Sequence, residues 1–167
     1  MAAENAVETL RSLRSQWEMD THKQSIALTE LQNAFGMPKP PTRMECYDIS
    51  NTQGTASVGS MVVFEQGVPN KKLYRRFNIK SVDHPDDFSS MEEVLTRRFR
   101  RWQAYHENTD VGKKGEPSFS VLPDLLIVDG GKGQLTRALK VLDEFGLRDS
   151  IQAVGLAKSE ELVILPE

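Results

Sequence analysis

The sequence predicts an α/β fold in which a mixed five-stranded sheet is flanked by helices and preceded by an N-terminal helical segment. Three strand-like segments between residues 43 and 80 are joined by short turns, which is typical of an antiparallel meander. After a long amphipathic helix, the pattern strand, helix, strand occupies residues 125–157, and such a crossover makes its two strands parallel. With 167 residues, 38% of them hydrophobic, the chain is long enough to bury one core.

The N-terminal segment carries apolar residues at helical spacing between residues 5 and 35, which predicts one or two helices. Gly36 and three prolines within residues 38–41 end this pattern. We therefore divide the chain into a helical segment with a proline-rich linker, residues 1–41, and a main domain, residues 42–167.

The first half of the main domain contains three predicted strands, at residues 43–50, 57–64 and 73–80, with turn signals at 51–54 and 65–67. Asp86 and Asp87 resemble N-cap residues and begin a predicted helix that ends near Tyr105. Its apolar face is formed by Phe88, Met91, Leu95, Phe99 and Trp102. Residues 107–120 hold few apolar side chains and are expected to form an exposed loop.

The second half begins with a wholly apolar run, residues 125–128, which is typical of a strand buried on both faces. A helix is predicted at 132–145 with Gly146 as its C-cap, followed by a strand at 151–157. Residues 161–165 begin a further element.

Asp129 ends the apolar run and is followed by Gly130, Gly131 and Gly133. A carboxylate at this position is costly unless it is solvated, paired or bound to a cation. The simplest interpretation is that Asp129 caps the next helix; a functional role is the alternative. The spacing around Lys132 is not that of a Walker A loop, and Thr136 stands where a dinucleotide fingerprint needs its third glycine.

The order of the elements is that of a ribonuclease H-like fold, in which the first strand lies beside the fourth. Asp48, near the end of the first strand, would then lie next to Asp129 despite the 81 positions between them. Two adjacent carboxylates repel each other unless a cation lies between them. Mg²⁺ and Mn²⁺ prefer carboxylate oxygens, so we expect a metal site at Asp48 and Asp129 that serves phosphodiester hydrolysis.

A third acidic ligand in this architecture often comes from the first long helix. At 100° per residue, Glu92 lies about 60° from the centre of the apolar face and Glu93 nearly opposite it. Glu92 is therefore a candidate ligand, although such glutamates are usually solvated, and Glu93 is expected to face water. His22, His84 and His106 are isolated in the sequence, which argues against a zinc site.

The net charge of −3 gives no general attraction to nucleic acid, but basic residues cluster locally. The two clusters are Lys71, Lys72, Arg75, Arg76 and Lys80, and Arg97, Arg98, Arg100 and Arg101. They are either solvated surfaces or phosphate contacts. One cysteine, Cys46, and no signal peptide or spanning apolar run lead us to expect a soluble cytoplasmic protein without a membrane partner.

Four motifs, in order along nearly the whole chain, resemble UvrC, the nuclease subunit of bacterial nucleotide excision repair. They are RMECYDISNTQG at 43–54, DDFSSM at 86–91 with Arg97 and Arg98, LPDLLIVDGGKGQL at 122–135, and GLAK at 155–158. The resemblance is to the ribonuclease H-like C-terminal endonuclease domain of that family.

The resemblance implies metal-dependent incision of damaged double-stranded DNA on the 5′ side of the lesion, in a complex with UvrB. It implies that Asp48 and Asp129 are catalytic carboxylates and that Asp87 matches a further acidic position. Our reading of the residues makes Asp87 a helix cap, so both roles stay open. Lys132 and Lys158, together with Arg97 and Arg98, are candidate DNA contacts.

Several parts of the family pattern are absent from the 167 residues. They are a later histidine-bearing segment that supplies the third catalytic group, the domain for the 3′ incision, the motif that contacts UvrB, and the helix-hairpin-helix modules. We therefore expect a domain truncated at its C-terminal end. Two functions remain: a nuclease domain, or a non-catalytic module that binds DNA or a repair partner.

Overall fold

The structure is a computed structural model that describes residues 2–51, 57–80, 87–107, 117–157 and 162–166, and only the backbone of residues 2–6, 87 and 162. Its helices are α1 (Ala2–Phe35), α2 (Asp87–His106) and α3 (Lys132–Glu144). Its strands are β1 (Arg43–Ser50), β2 (Val58–Glu65), β3 (Val68–Pro69), β4 (Arg75–Asn78), β5 (Leu125–Asp129), β6 (Gln152–Ala157) and β7 (Leu162–Ile164).

The strands form one mixed sheet in the order β3-β2-β1-β5-β6-β7, and β4 also pairs with β2. β1 is antiparallel to β2 and parallel to β5, which in turn is parallel to β6. The predicted meander, the predicted crossover and the adjacency of the first strand to the buried strand 125–129 are thereby confirmed.

The sheet has seven strands in the described residues, whereas we predicted five. The predicted third strand, 73–80, is the shorter β4, and β3 is an additional strand before it. Asn70 separates the two, because it accepts a hydrogen bond from the backbone N–H of Lys72 and begins a short 3-10 helix, Lys71–Leu73. β3 and β4 therefore pair separately with the two ends of β2. The other additional strand is β7, which pairs with β6 near the end of the chain.

One face of the sheet, the helix-pair face, packs against α2 and α3 around the main core. The sheet contributes Tyr47, Met61, Val63, Leu126 and Val128, and the two helices contribute Met91, Leu95, Phe99, Leu135, Ala138 and Leu142. These residues are buried, and their spacing follows a period of two on the strands and of three to four on the helices. The amphipathic patterns of the sequence are therefore realised in this core.

The other face, which we call the α1 face, is covered only in part. Leu28 of α1 packs with Met44 and Leu125, at the starts of β1 and β5, in a second core cluster. In the first half of the helix, Leu10 and Trp17 are exposed by 65% and 68%. The ends of β1 and β5 therefore lie away from the covered part of this face.

The predicted boundary between the helical segment and the main domain, between residues 41 and 42, stays a prediction.

Two loop predictions have opposite outcomes. Gly146 follows α3 with a φ of 65°, a left-handed conformation that glycine adopts without strain, so the predicted C-cap is confirmed. The expectation of an exposed loop at 107–120 is wrong for Ser118 and Phe119, which are buried. Phe119 packs edge-on against Phe77, which draws this segment into the core. Residues 108–116 lie outside the described residues.

Among the described helices, none combines the length and the apolar character needed to span a membrane.

Candidate active site

The candidate site is built by two parallel strands that each carry an aspartate at or near the C-terminal end. The paired residues of β1 and β5 end with Tyr47 opposite Val128. One further step along both strands brings Asp48 beside Asp129, and neighbouring strands are about 4.8 Å apart. Both aspartates are partly exposed. The predicted juxtaposition of these two carboxylates is therefore present in the fold.

Both aspartates lie on the α1 face, because side chains alternate along a strand. Tyr47 and Val128 point into the helix-pair core, so Asp48 and Asp129 point the other way. Cys46 lies two positions before Asp48 and shares its face. Burial, followed by the negative charges of Asp129 and Asp48, raises the pKa of the Cys46 thiol to about 11. The pKa of this thiol therefore depends on the charges of both carboxylates.

The loop after Asp129 is held close to the sheet by small residues. A Cβ atom added at Gly155 of β6 would lie 2.9 Å from the carbonyl oxygen of Gly130, so only glycine allows this approach. The N-cap of α3 is Gly131, and no side chain caps this helix end with a hydrogen bond. Asp129 is therefore not the N-cap, and the simplest interpretation of this residue is wrong.

Asp48 has a described hydrogen-bond partner on its own strand. The hydroxyl of Ser50 donates to Oδ2 of Asp48 at 3.3 Å, from the next position on the same face. Ser60 of β2 lies opposite Asp48 in the antiparallel register. Two small polar residues, Ser50 and Ser60, therefore lie next to Asp48.

Asp87 is the first residue of α2, as its predicted position at a helix start requires. The next residue, Phe88, contacts the start of α3: a Cβ atom added at Gly133 would lie 2.4 Å from Cε1 of Phe88. The beginning of α2 therefore lies at the same end of the molecule as Asp129. The side chain of Asp87 is outside what the structure describes, so its role stays a prediction.

Glu92 does not join the aspartate pair, which corrects its candidacy as a ligand. It accepts hydrogen bonds from Arg137 at 3.0 Å and from Lys140 at 2.5 Å, and so it joins α2 to α3 on the opposite side of the sheet. The hydrogen bond from Lys140 is the main cause that lowers the pKa of Glu92.

Glu93 does not face water as expected. Its side chain is 13% exposed, against 25% for Glu92, and it pairs with Arg97 at 3.1 Å while accepting the backbone N–H of Lys80. The position of Glu93 around the helix predicted that it faces water, but the chain near Lys80, which is distant in sequence, covers this side of α2.

The structure corrects the expectation that Arg98 contacts DNA. Arg98 is fully buried and donates to Glu45 at 2.9 and 3.1 Å. Arg43, also buried, donates to the same carboxylate at 2.8 Å. Burial alone would lower the pKa of Arg98, but the charge of Glu45 raises it overall. This buried cluster is structural, and an arginine inside it cannot reach a phosphate.

The other candidate DNA contacts are untested by the fold. Arg97 is 28% exposed and donates to the backbone carbonyl of Asn78 at 2.7 Å. Lys132 is exposed in the first turn of α3, close in sequence to Asp129. Lys158 lies outside the described residues. Contacts from Arg97, Lys132 and Lys158 to DNA stay predictions.

Sequence reasoning missed Ser60 and Arg76 as members of the site region. Their positions opposite one another in the β2–β4 pairing put both on the α1 face with Asp48. The alternation of polar and apolar residues along β4 indicated that Arg76 faces away from the core. The sequence did not show which strand pairs with β4 and therefore which residues lie beside Arg76.

Within the part of the chain that the structure describes, no group of three or more His, Cys, Asp or Glu side chains lies close enough together to hold a metal ion. The described donor set is thus the pair of carboxylates. Two carboxylates suit Mg²⁺, which keeps several of its waters when a protein binds it. The residues present are compatible with such an ion.

Comparison with known proteins places this geometry in a family. Residues 32–166 match the model of the UvrC RNAse H endonuclease domain. UvrABC system protein C of Dehalococcoides mccartyi is 48% identical over 99% of this chain and 26% of that protein. The same-named protein of Christiangramia forsetii is 45% identical over 89% of this chain and 22% of that protein.

Solved structures with a similar fold include Ciona intestinalis Endonuclease V in complex with DNA containing an inosine (TM-score 0.47, 14% identity, 84% of this chain and 58% of that chain). Human ENDOV is similar at a TM-score of 0.45 and 17% identity, over 74% of this chain and 48% of that chain. The chain spans about a quarter of the length of the curated relatives. Since the family model covers most of the sequence and the relatives are so similar, the chain belongs to the UvrC ribonuclease H endonuclease domain family.

Proposed function

We propose that this chain is a metal-dependent DNA endonuclease domain that makes the incision on the 5′ side of a lesion in the UvrABC system. The observation that carries the proposal is the placement of Asp48 beside Asp129 toward the C-terminal ends of two adjacent parallel strands. Family membership supports the reaction class, and the name shared by the relatives supports the repair system.

Asp48 and Asp129 would hold Mg²⁺ or Mn²⁺ between strands β1 and β5. Such an ion, when bound, lowers the pKa of water and offsets negative charge at a phosphodiester. The contribution of the chain is to fix the two carboxylates. β1 and β5 are paired on both sides within the sheet, which fixes the backbone positions of the two aspartates. Ser50 orients Asp48 by its hydrogen bond.

Asp87 is a proposed further acidic group, since α2 begins at the end of the molecule where Asp129 lies. Lys132 is proposed to bind a phosphate from the first turn of α3, where the helix dipole also favours an anion. Damaged double-stranded DNA as the substrate and UvrB as the partner are likewise proposed, on the basis of the family.

The proposal is tested by Asp48→Asn and Asp129→Asn in the complete protein that contains this chain, with Asp143→Asn on the exposed side of α3 as the control. We expect each site variant to lose 5′ incision, retain DNA binding and melt near the wild-type temperature, while Asp143→Asn cuts normally. Retained cutting by Asp48→Asn would overturn the proposal.

Direct measurement of Mn²⁺ binding separates the nuclease from a non-catalytic module. We expect the chain to bind Mn²⁺ and to lose this binding in either site variant. Absence of Mn²⁺ binding that depends on Asp48 or Asp129, together with absence of cutting by the complete protein, would favour a module that only binds DNA or a repair partner.

A further inference from the structure

We propose that Arg76 of β4 binds a phosphate of the DNA strand and holds that strand across the Asp48–Asp129 pair. The inference rests on the proposed nuclease function and adds to it a substrate-binding residue on a different strand. In the sequence, Arg76 is only one member of a basic cluster. The sheet gives this residue a defined position relative to the two carboxylates.

The strand register places Arg76 in one row with the two aspartates. Arg76 pairs with Ser60 of β2, and Ser60 pairs with Asp48 of β1. One step beyond the last paired residues of β1 and β5, Asp48 lies beside Asp129. Residues directly opposite one another in neighbouring strands point to the same face of a sheet. The row therefore presents a cation at one end and two carboxylates in the middle, all on the α1 face.

The separation along this row suits a nucleic acid strand. Two strand spacings put the Cα atoms of Arg76 and Asp48 about 10 Å apart. Ser60, the residue between them, is small. A DNA strand with one phosphate near the carboxylates could therefore offer a neighbouring phosphate to an extended arginine without a bulky side chain in its way.

Burial along β4 agrees with this orientation. Phe77 is 1% exposed in the helix-pair core, whereas its neighbours Arg76 and Asn78 are exposed. In the described residues, no strand pairs with the other side of β4. No described carboxylate forms an ion pair with Arg76, in contrast to Arg97, which is paired with Glu93. Arg76 is thus an accessible cation at an open edge.

The positive charge of Arg76 would offset the repulsion between the aspartate pair and the DNA. The two carboxylates repel the phosphates of the substrate, and the net charge of −3 supplies no general attraction. A guanidinium binds phosphate through two parallel hydrogen bonds, which position a strand as well as attract it. Lys71 and Lys72 are exposed in the 3-10 helix that precedes β4 and extend the positive charge along this edge.

The competing explanation is that Arg76 only protects an edge strand from pairing with another molecule, as charged residues do in many sheets. A lysine protects an edge strand as well as an arginine does. Neither edge protection nor phosphate binding by Arg76 alters metal binding at the aspartates. The two explanations differ in what they predict for DNA affinity and its salt dependence.

The test compares Arg76→Gln, Arg76→Lys and a matched control, Arg100→Gln, an exposed arginine on α2 at the opposite face of the sheet. Binding of a fluorescent DNA duplex to the chain is measured by anisotropy at several salt concentrations. We expect Arg76→Gln to weaken binding about tenfold and to reduce the magnitude of the salt slope by about one. Arg76→Lys should keep the slope but recover only part of the affinity, and Arg100→Gln should bind like wild type.

Equal affinities and slopes for Arg76→Gln, Arg100→Gln and wild type would overturn the inference, as would absence of DNA binding by the wild-type chain. Thermal melts of each variant establish that a loss of binding is not a loss of folding. Failure here is distinct from failure of the nuclease proposal, which is judged by incision in Asp48→Asn and not by the affinity of Arg76 variants.

Discussion

Arg98 of α2 donates from Nε and Nη2 to the two carboxylate oxygens of Glu45 on β1, and neither side chain has any exposed surface. Glu45 also accepts from Arg43 and, at 2.6 Å, from the hydroxyl of Tyr47. Arg98 further donates to the backbone carbonyls of Phe119 and Val121. The cluster therefore ties α2 and the segment before β5 to the strand that carries Asp48.

Replacement of Arg98 by leucine should destabilise the chain strongly. It leaves Glu45 buried with less compensation and removes the donors to two backbone carbonyls, so we expect a loss of about 3–5 kcal/mol in the free energy of unfolding. Urea denaturation measures this loss. Arg100→Ala, an exposed change on the same helix, should stay within about 0.5 kcal/mol of wild type. A loss below about 1 kcal/mol for Arg98→Leu would contradict the structural role.

Cys46 can report on the aspartate pair, because it is the only cysteine. Burial and the negative charges of Asp129 and Asp48 raise its pKa to about 11, since each disfavours the thiolate. Asp48→Asn and Asp129→Asn should therefore each lower this pKa, and alkylation by iodoacetamide in the presence of EDTA should accelerate at a given pH below 11. Asp143→Asn, on the exposed side of α3, is the control. Unchanged alkylation in both site variants would mean that the two carboxylates do not share a face with Cys46.

Asp124 should stabilise the fold in a pH-dependent manner. Burial raises its pKa, but hydrogen bonds from the backbone N–H groups of Arg43 and Thr42 and the contact with Lys39 outweigh burial and lower the pKa below 3.8. A lowered pKa means stability that is complete well above 3.8 and is lost as the pH falls through the folded-state value. Asp124→Asn should therefore cost about 1–3 kcal/mol near pH 7 and progressively less below pH 4. Chemical denaturation across this range measures the difference, which should be absent at every pH for Asp143→Asn.

The aspartate pair could be predicted because its signal is local. An apolar run that stops on Asp129, and a strand that carries Asp48, become neighbours once the order of strands and helices is known. The crossover rule supplies that order without any side-chain detail. The juxtaposition of two residues 81 positions apart thus followed from topology alone.

The role of Arg98 was misread although a signal existed. Arg98 follows Met91 by seven positions and Leu95 by three, which places it inside the apolar face of α2. Glu45 alternates with Met44 and so shares the inward face of β1 with Tyr47. A charge of each sign at inward positions indicates a buried pair, but only the packing of α2 on β1 shows that the two meet. The sequence run that contains Arg98 also contains exposed arginines, so the run as a whole indicates a surface cluster and not a buried ion pair.

The positions of Glu92 and Glu93 could not be derived from a helical wheel. Glu93 is covered by the backbone of Lys80, and Glu92 by Arg137 and Lys140 of a different helix. These contacts depend on how elements pack and not on the period of α2. The additional strand β3, which Asn70 and the 3-10 helix separate from β4, likewise depends on packing, since it is defined by its pairing with β2.

Gly155 should be needed for the shape of the site as well as for stability. A Cβ atom there would meet the Gly130 carbonyl oxygen at 2.9 Å, and neither atom can rotate away, because the oxygen belongs to the backbone and the Cβ is bonded directly to it. Gly155→Ala should therefore cost about 1–3 kcal/mol, because the turn after Asp129 has to shift. The same shift should weaken Mn²⁺ binding at the aspartate pair. Gly131→Ser is the matched control on the same turn, since a Cβ atom at Gly131 meets nothing within 4 Å and serine is a favoured N-cap. Urea denaturation and Mn²⁺ titration of both variants test this, and equal stability of Gly155→Ala and wild type would show that the turn yields without cost.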